Sequence, residues 1–433
     1  MIVDHLTWIL RERTGRDLRP TSQVGAEPTM PRTDEGSGGS MKESLCAGVG
    51  RSVSASSHEA GREAALEALE RAGGSASLAI VYATVMHDQQ ALIDGIRAVL
   101  GEVPLVGGST QGVSTAGRVE ECSWVVGVAV VSASPRIRAR TIAVQGFSAD
   151  PHAAGLALAE GLAGAEGPLL LWYDPLTGGN VTELLRGLEA GGFPRIVGGG
   201  AGQPWGPLNH TYQYHDGVVL QDAAVAMAIE GDVILIHDVT NGTESLGIEL
   251  EVTEAAGHIL KQIDGQPALE VWTEQLGGGP SNNVEDTASW ALGVALPEAL
   301  ASHGEELITR AVFGFRHDTK ELVLQASIET GSRLQLCHRT PDAVYERALQ
   351  MATRLQRRCA PYRPLLALSF ECGARPRPFL GDPLAAQEVT QMQEILGDPP
   401  WLGTYAWGEI APVGAHSYLH NYTFPLVILA ERS

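Results

Sequence analysis

The sequence predicts an α/β protein, with mixed sheets built from repeated strand-helix-strand units with Gly-rich loops and arranged in two halves. Three observations predict it. First, a short apolar strand, an amphipathic helix, a proline with bulky residues, and then glycine recur three times. Second, the first and third copies share their glycine spacing, Gly107 to Gly112 and Gly403 to Gly408. Third, strand-like text follows each copy, which favours mixed over all-parallel sheets.

Residues 1–40 stand apart. Ile2, Leu6, Ile9 and Leu10 can form a short amphipathic stretch, and after Gly15 the text turns to Pro, Thr, Ser and Gly, ending Gly36-Ser37-Gly38-Gly39-Ser40. Such a composition buries too little to offset ordering entropy, so a flexible tail or linker, dispensable for the fold, is expected. An appended docking peptide and an upstream start both fit. Met41 begins the first half, placed at 41–245, and the second half is placed at 246–433.

Ser54 to Ala72 reads as a helix, with charged residues opposite Ala64, Ala65, Leu66 and Leu69. The first copy is strand Leu78–Tyr82, a helix ending near Leu100, and Pro104 to Val113. Trp124–Val131 and Ile137–Val144 read as a strand pair, with Pro135 in the turn. Helix Ala153–Leu162 leads to the second copy, which is strand Leu169–Tyr173, a helix ending near Ala190, and Pro194 to Gly200. Val218–Leu220 and Ala223–Ile229 read as the next pair, and Gly231-Asp232 turns into Val233–Asp238. Near Glu251 the pattern changes: Val252-Thr253 begins a strand, helix Leu269–Leu276 follows a tight turn, and Gly277–Asn283 is a loop. The third copy is strand Leu365–Phe370, a helix ending near Leu396, and Pro400 to Ile410. Strand Phe424–Ala430 closes the chain.

The formal net charge of −21 argues against nucleic acid or an anionic membrane surface as partner, since both need basic patches. No apolar run approaches the roughly 20 residues that span a bilayer. Asp4, His5 and Arg11 interrupt any signal-peptide core, so a cytoplasmic location is expected. The five cysteines include no CxxC pair, so no zinc site or disulfide framework is read.

Gly107, Gly108, Ser109 and Thr110, with Gly198 and Gly199, offer unhindered backbone to a ligand carboxylate or phosphate, or else form tight turns. No phosphate-loop spacing indicates a nucleotide. Glu409, directly after Gly408, can bind an ammonium group or cap a neighbouring loop. Cys372 precedes Arg375 and Arg377, cations that favour a thiolate; a small core residue is the alternative. Tyr405 joins Trp172, Tyr173, Trp205 and Trp407 as candidates to wall a pocket.

Several strings resemble the FIST family. Pro104-Leu105-Val106-Gly107-Gly108-Ser109-Thr110-Gln111-Gly112 is similar to the hallmark of its N-terminal half. Gln262-Ile263-Asp264-Gly265-Gln266-Pro267-Ala268-Leu269-Glu270-Val271-Trp272 resembles the start of its C-terminal half. Phe370-Glu371-Cys372-Gly373-Ala374-Arg375, Gly408-Glu409-Ile410-Ala411-Pro412 and His420-Asn421-Tyr422-Thr423 resemble its end. The matches run in order over roughly Met41 to Ser433. Val113 stands where many relatives carry Glu, and the cysteine string departs from the relatives' Ser-Cys-Ala-Gly-Arg.

The resemblance implies a sensory module that binds a small ligand and serves a separate signalling partner. Amino-acid-like metabolites are the ligands proposed for such modules, and one branch binds haem and senses nitric oxide. Histidines 87, 210, 215, 416 and 420 lie near the glycine segments. His420, beside Asn421 in a matched string, is the candidate iron ligand if haem binds. The reading is therefore a small-ligand-binding sensor without catalysis. The alternatives are a haem-binding gas sensor or an enzyme using Cys372 or Glu409.

Overall fold

Three runs of eight elements follow one another, each in the order strand, helix, strand, helix and four strands. The computed structural model describes residues 44–121, 123–204, 210–276, 289–295 and 307–432. The expected tail at 1–40, Cys122, Trp205 and the loop at 277–283 lie outside these residues.

The first run is β1 (Ala47–Ser52), α1 (Ser57–Arg71), β2 (Leu78–Thr84), α2 (Gln89–Leu100), β3 (Leu105–Thr110), β4 (Val113–Thr115), β5 (Arg118–Glu120) and β6 (Val126–Val131). The second is β7 (Ile137–Gln145), α3 (Pro151–Gly161), β8 (Leu169–Tyr173), α4 (Val181–Ala190), β9 (Ile196–Gly200), β10 (Gln213–His215), β11 (Val218–Leu220) and β12 (Ala223–Gly231). The third opens with β13 (Val233–Thr240) and is then interrupted by an insertion. The insertion contains β14 (Thr243–Ala256), β15 (Ile259–Ile263), β16 (Gln266–Pro267), α5 (Ala268–Gln275), β17 (Trp290–Ala295), β18 (Leu307–Arg310), β19 (Val312–Arg316), β20 (Glu321–Leu324) and β21 (Arg333–Arg339). The run resumes with α6 (Pro341–Cys359), β22 (Arg363–Cys372), α7 (Asp382–Ile395), β23 (Trp401–Ala406), β24 (Glu409–Val413), β25 (His416–His420) and β26 (Phe424–Glu431).

Helix starts follow local chemistry. Asp88, Asp150, Asn180 and Thr340 accept hydrogen bonds from the first-turn amides of α2, α3, α4 and α6 at 3.0–3.2 Å. Proline occupies the first turn of α3, α6 and α7, where its missing N–H costs nothing.

The runs share strands cyclically. The three sheets are ordered β1-β6-β2-β3-β10-β11, β7-β12-β8-β9-β24-β25 and β13-β26-β22-β23-β4-β5. Each takes four strands from one run and a hairpin from another. The hairpin of the first run extends the sheet of the third, that of the second extends the first, and that of the third extends the second. Each hairpin covers what would otherwise be an open sheet edge. The insertion forms a separate sheet, ordered β18-β17-β21-β14-β15-β20-β19, with its own core of Val252, Leu260, Trp272, Leu334 and Leu336.

Register shows that the runs are equivalent. In the parallel pairs, Tyr82 lies beside Gly108, Trp172 beside Gly199, and Phe370 beside Thr404. Those second residues pair in turn with the first residue of the incoming hairpin, Gln213, Glu409 and Val113. The three rings meet in the central core. Trp172 Nε1 donates to the Tyr82 hydroxyl at 3.2 Å, and the Phe370 ring lies 6.4 Å from Tyr82 and 5.9 Å from Trp172.

Mixed sheets and a hairpin after each glycine segment agree with the sequence, and four expectations do not. The glycine segments are strands β3, β9 and β23 and not loops. At Gly107 and Gly198 a Cβ would stand 1.9 Å from the carbonyl oxygens of Val81 and Leu171, so the close approach they permit is to the neighbouring strand. Trp124–Val131 does not pair with Ile137–Val144: β6 joins β1 and β2, while β7 joins β12. Val218–Leu220 does not pair with Ala223–Ile229: β11 joins β10, and β12 joins β7 and β8. Nor does β13 turn back on β12; it pairs with β26, so the last strand is internal to its sheet. Exchange of hairpins sends each strand to a partner that sequence neighbours cannot reveal.

Replacing Gly198 by Ala should lower stability by about 3 kcal/mol, because the blocking atom is backbone and cannot rotate away. Denaturant unfolding measures it; a loss near zero would show that the parallel pair is not held this close.

Candidate functional site

Strand β22 is buried from Leu365 to Cys372 and carries different chemistry on its two faces. Successive side chains alternate. Leu368 and Phe370 join the central core and Cys372 continues that face, whereas Ala367 packs under α7 with Val389 and Met392, and Glu371 follows on that side.

On the inner face the backbone N–H groups of Ala374 and Tyr422 and the carboxyl of Glu409 lie around the Cys372 thiol. Glu409 is 0% exposed. One carboxyl oxygen accepts from the Thr423 N–H at 3.1 Å and its hydroxyl at 2.9 Å; the other accepts from the Gly408 N–H at 3.2 Å. Burial pushes the Glu409 carboxyl up to about 8. Burial first, and then the charge of Glu409, push the Cys372 thiol well above its ordinary value. The expectation that nearby arginines favour a thiolate is therefore corrected. Arg375 is committed to two carboxylates and Arg377 pairs with Asp382 at 2.9 Å.

The insertion holds the far side. The Arg339 guanidinium lies between the rings of Phe379 at 4.5 Å and Tyr422 at 4.4 Å. Tyr422 has φ +61°, a left-handed conformation that a bulky residue keeps only under constraint. Asn421 accepts from the Ala311 N–H at 3.0 Å and donates to Gln325, and its carbonyl accepts from the Thr309 hydroxyl. Gln325 donates to the Trp407 carbonyl at 2.8 Å, just before Gly408 and Glu409.

The equivalent positions in the other runs carry different chemistry. Thr84, Asp174 and Cys372 all donate their N–H to the start of the next sheet strand, to Val125, Ala223 and Thr423. The Thr84 hydroxyl is spent on Ser123 and Val125. The Asp174 carboxylate is spent on Leu176, Thr211 and Asp222. The hairpin residues are Val113, Gln213 and Glu409. Among these three strand ends, the third pairs a thiol with a carboxyl.

On the outer face Arg375 meets Glu371 through Nε at 3.2 Å and Glu388 through Nη2 at 2.9 Å. Burial pushes both carboxyls up, and for Glu371 the neighbouring Glu388 adds to it. Tyr405 is 0% exposed, and its hydroxyl has no partner among the described residues. Gln111 bridges the two loops: it donates to the Gly373 carbonyl at 2.9 Å and accepts from Trp407 Nε1 at 3.2 Å.

Cys372, Arg375, Tyr405, Gly408, Glu409 and Asn421 thus gather around the ends of β22 and β23, with Gly199 paired to Glu409. Gly107, Gly108, Ser109, Thr110 and Gly198 lie in the seams between runs: Ser109 donates to the Gly202 carbonyl at 2.9 Å, and Thr110 accepts from Thr404 at 2.9 Å. His420 is 3% exposed, its Nε2 stands 3.1 Å from the Ala411 carbonyl oxygen, and burial lowers it to about 4. No metal-holding group of three or more His, Cys, Asp or Glu occurs among the described residues.

Gln111, Arg339, Glu371, Glu388, Tyr422 and Thr423 are functional candidates that the sequence reading did not single out. Glu388 left a signal: it falls on the apolar face of α7, three residues after Ala385 and four before Met392. Arg339 left none, since its partners come from distant segments.

Replacing Arg375 by Leu should cost about 3–5 kcal/mol at neutral pH, because two carboxylates would stay buried without their cation. The cost should shrink on acidification as those carboxyls take up protons. Denaturation across pH checks this, and a loss independent of pH would refute it.

A protein of Mycobacterium tuberculosis, strain H37Rv and itself uncharacterised, is 27% identical over 398 residues, spanning 89% of this chain and 99% of its own. An uncharacterised Mycobacterium bovis protein is 24% identical over 223 residues, spanning 51% of this chain and 57% of its own. Among solved structures, a cyanuric acid hydrolase from A. caulinodans aligns at 10% identity and TM-score 0.32, covering 90% of this chain and 100% of that one. T. maritima PurL complexed with ADP aligns at 12% identity and TM-score 0.23, covering 90% and 72%. Likenesses that remote transfer neither fold nor chemistry. The FIST N domain matches residues 77–266 and the FIST C domain matches 268–412, in the order and with the two halves that the sequence strings imply. The chain belongs to the FIST family.

Proposed function

We propose that this chain is a cytoplasmic sensory protein that binds a small ligand at the Cys372–Glu409 centre and acts through a separate signalling partner. The observation that carries the reading is the divergence of three equivalent strand ends. The first two carry Thr84 with Val113 and Asp174 with Gln213, whereas the third brings a thiol and a carboxyl together beneath residues of the insertion. A carboxyl held up to about 8 is largely protonated at neutral pH and donates as well as accepts hydrogen bonds. The net charge of −21 fits neither nucleic acid nor an anionic membrane as partner. No helix among the described residues is long and apolar enough to cross a membrane.

A metabolite screen by thermal unfolding tests the reading. A ligand at about 100 times its Kd stabilises the native state by about 2.7 kcal/mol. Glu409→Gln should keep the fold, since an amide oxygen can still accept from Thr423, and should abolish the shift. A screen with no shift, or a shift that Glu409→Gln leaves intact, counts against the site. A Soret band after haem reconstitution would instead support the gas-sensing alternative.

A second reading, nucleophilic chemistry at Cys372, is favoured by the two backbone N–H groups beside its sulfur, which favour the thiolate. Selective alkylation of Cys372 over the other four cysteines at neutral pH is its expected sign; indifference to the reagent removes it.

A further inference from the structure

The two faces of β22 carry one charge set that crosses the strand. Glu371, Glu388 and Glu409 supply three carboxyls; Arg375 and Arg339 supply two guanidiniums; all five residues are 0–1% exposed. Arg375 bonds Glu371 and Glu388 directly. Arg339 lies within electrostatic reach of Glu388 on one side and of Cys372 and Glu409 on the other. Among the described residues, the other charged groups near the set do not complete it. Glu121 accepts from the Arg377 N–H and from Gln111, and Asp382 pairs with Arg377 near the surface. A net charge sealed from water is far more costly than a bound proton.

We propose that this set holds one shared proton, and that losing it releases α7 and the turn before it from β22, so that alkalinity loosens the wall of the Cys372–Glu409 centre. Arg375 and Glu388 are the clasp between that wall and the strand. The Arg375 N–H also bonds the Cys372 carbonyl at 2.9 Å, so displacement of the turn reaches the thiol through backbone.

The direction follows from proton counting. The closed form binds a proton that solvated carboxylates of ordinary acidity would not hold. Opening therefore releases a proton and is favoured as pH rises, from the ordinary carboxylate range up to the point where the closed set itself deprotonates. Above that point the dependence levels off.

Hydrogen exchange read by mass spectrometry over residues 376–396, corrected for intrinsic rates, tests the proposal in the full chain. Wild type should open about tenfold more readily per pH unit, the factor for release of one proton, in the approach to neutrality. Glu388→Gln leaves two carboxylates against two guanidiniums and should remove that slope. A flat wild-type profile, or the same slope in Glu388→Gln, overturns the proposal. Glu371→Gln makes the same neutralisation from the other side if Glu388→Gln fails to fold. Infrared spectroscopy of the wild type gives an independent answer: a buried protonated carboxyl band should be present at neutral pH and fade in alkali, and its absence overturns the idea. None of these readings needs a ligand, so a failed metabolite screen leaves them standing.

Discussion

Everything in this fold depends on how closely two parallel strands can lie while a third strand arrives from another part of the chain. At Val81 and Gly107, and again at Leu171 and Gly198, there is no room for a side chain on the second strand. That closeness lets β3 and β9 pass on to their incoming hairpins within the central layer, and it lets Tyr82, Trp172 and Phe370 meet at the centre. The glycines are thus a packing device first. Two runs use this device, and in the third Gly403 makes room for the Ser114 and Ser369 hydroxyls. The three runs still have equivalent strand ends, and function has a scaffold on which one end can diverge while the other two keep the architecture.

The divergence is concentrated in the third run for a topological reason. The insertion enters between β13 and α6, so Arg339 leaves β21 directly above the ends of β22 and β26. It brings an aromatic-sandwiched guanidinium and a set of hydrogen-bond donors to the loop at 421–423. In the other runs Thr84 and Asp174 hold the corresponding loops. Reliance on a separate sheet leaves groups whose state depends on how that sheet sits.

Much of this was legible in the sequence, and what was not has a physical explanation. Strand and helix spans followed from apolar runs and their spacing, as at Leu169–Tyr173 and the helix ending near Ala190, whereas the helix at Pro341–Cys359 was not read. Of the exchanged hairpins only Val218–Leu220 was legible as a strand, and none of the partners was, because pairing between segments a hundred or more residues apart leaves no local trace. Cys372 and Glu409 were legible as candidates because they end strands in matched strings. The polarity of their surroundings was misjudged: Arg375 near Cys372 in sequence suggested a thiolate, yet the turn after β22 carries Arg375 to the carboxyls of the opposite face. Sequence proximity is a poor guide to electrostatic proximity across a strand.

The cyclic exchange of hairpins also has a consequence for biosynthesis. The β4–β5 hairpin is made early, but the strand it completes, β23, begins at Trp401, close to the end of the chain. Until then the ribosome displays a hairpin without its sheet, and β9 waits with an open edge for β24. Contacts of such long sequence separation close late and slowly, and unpaired edges are the surfaces through which nascent chains aggregate. The protein therefore cannot mature run by run as it emerges. Its assembly is a single closing event, completed when the last stretch of polypeptide is free to fold back onto the first.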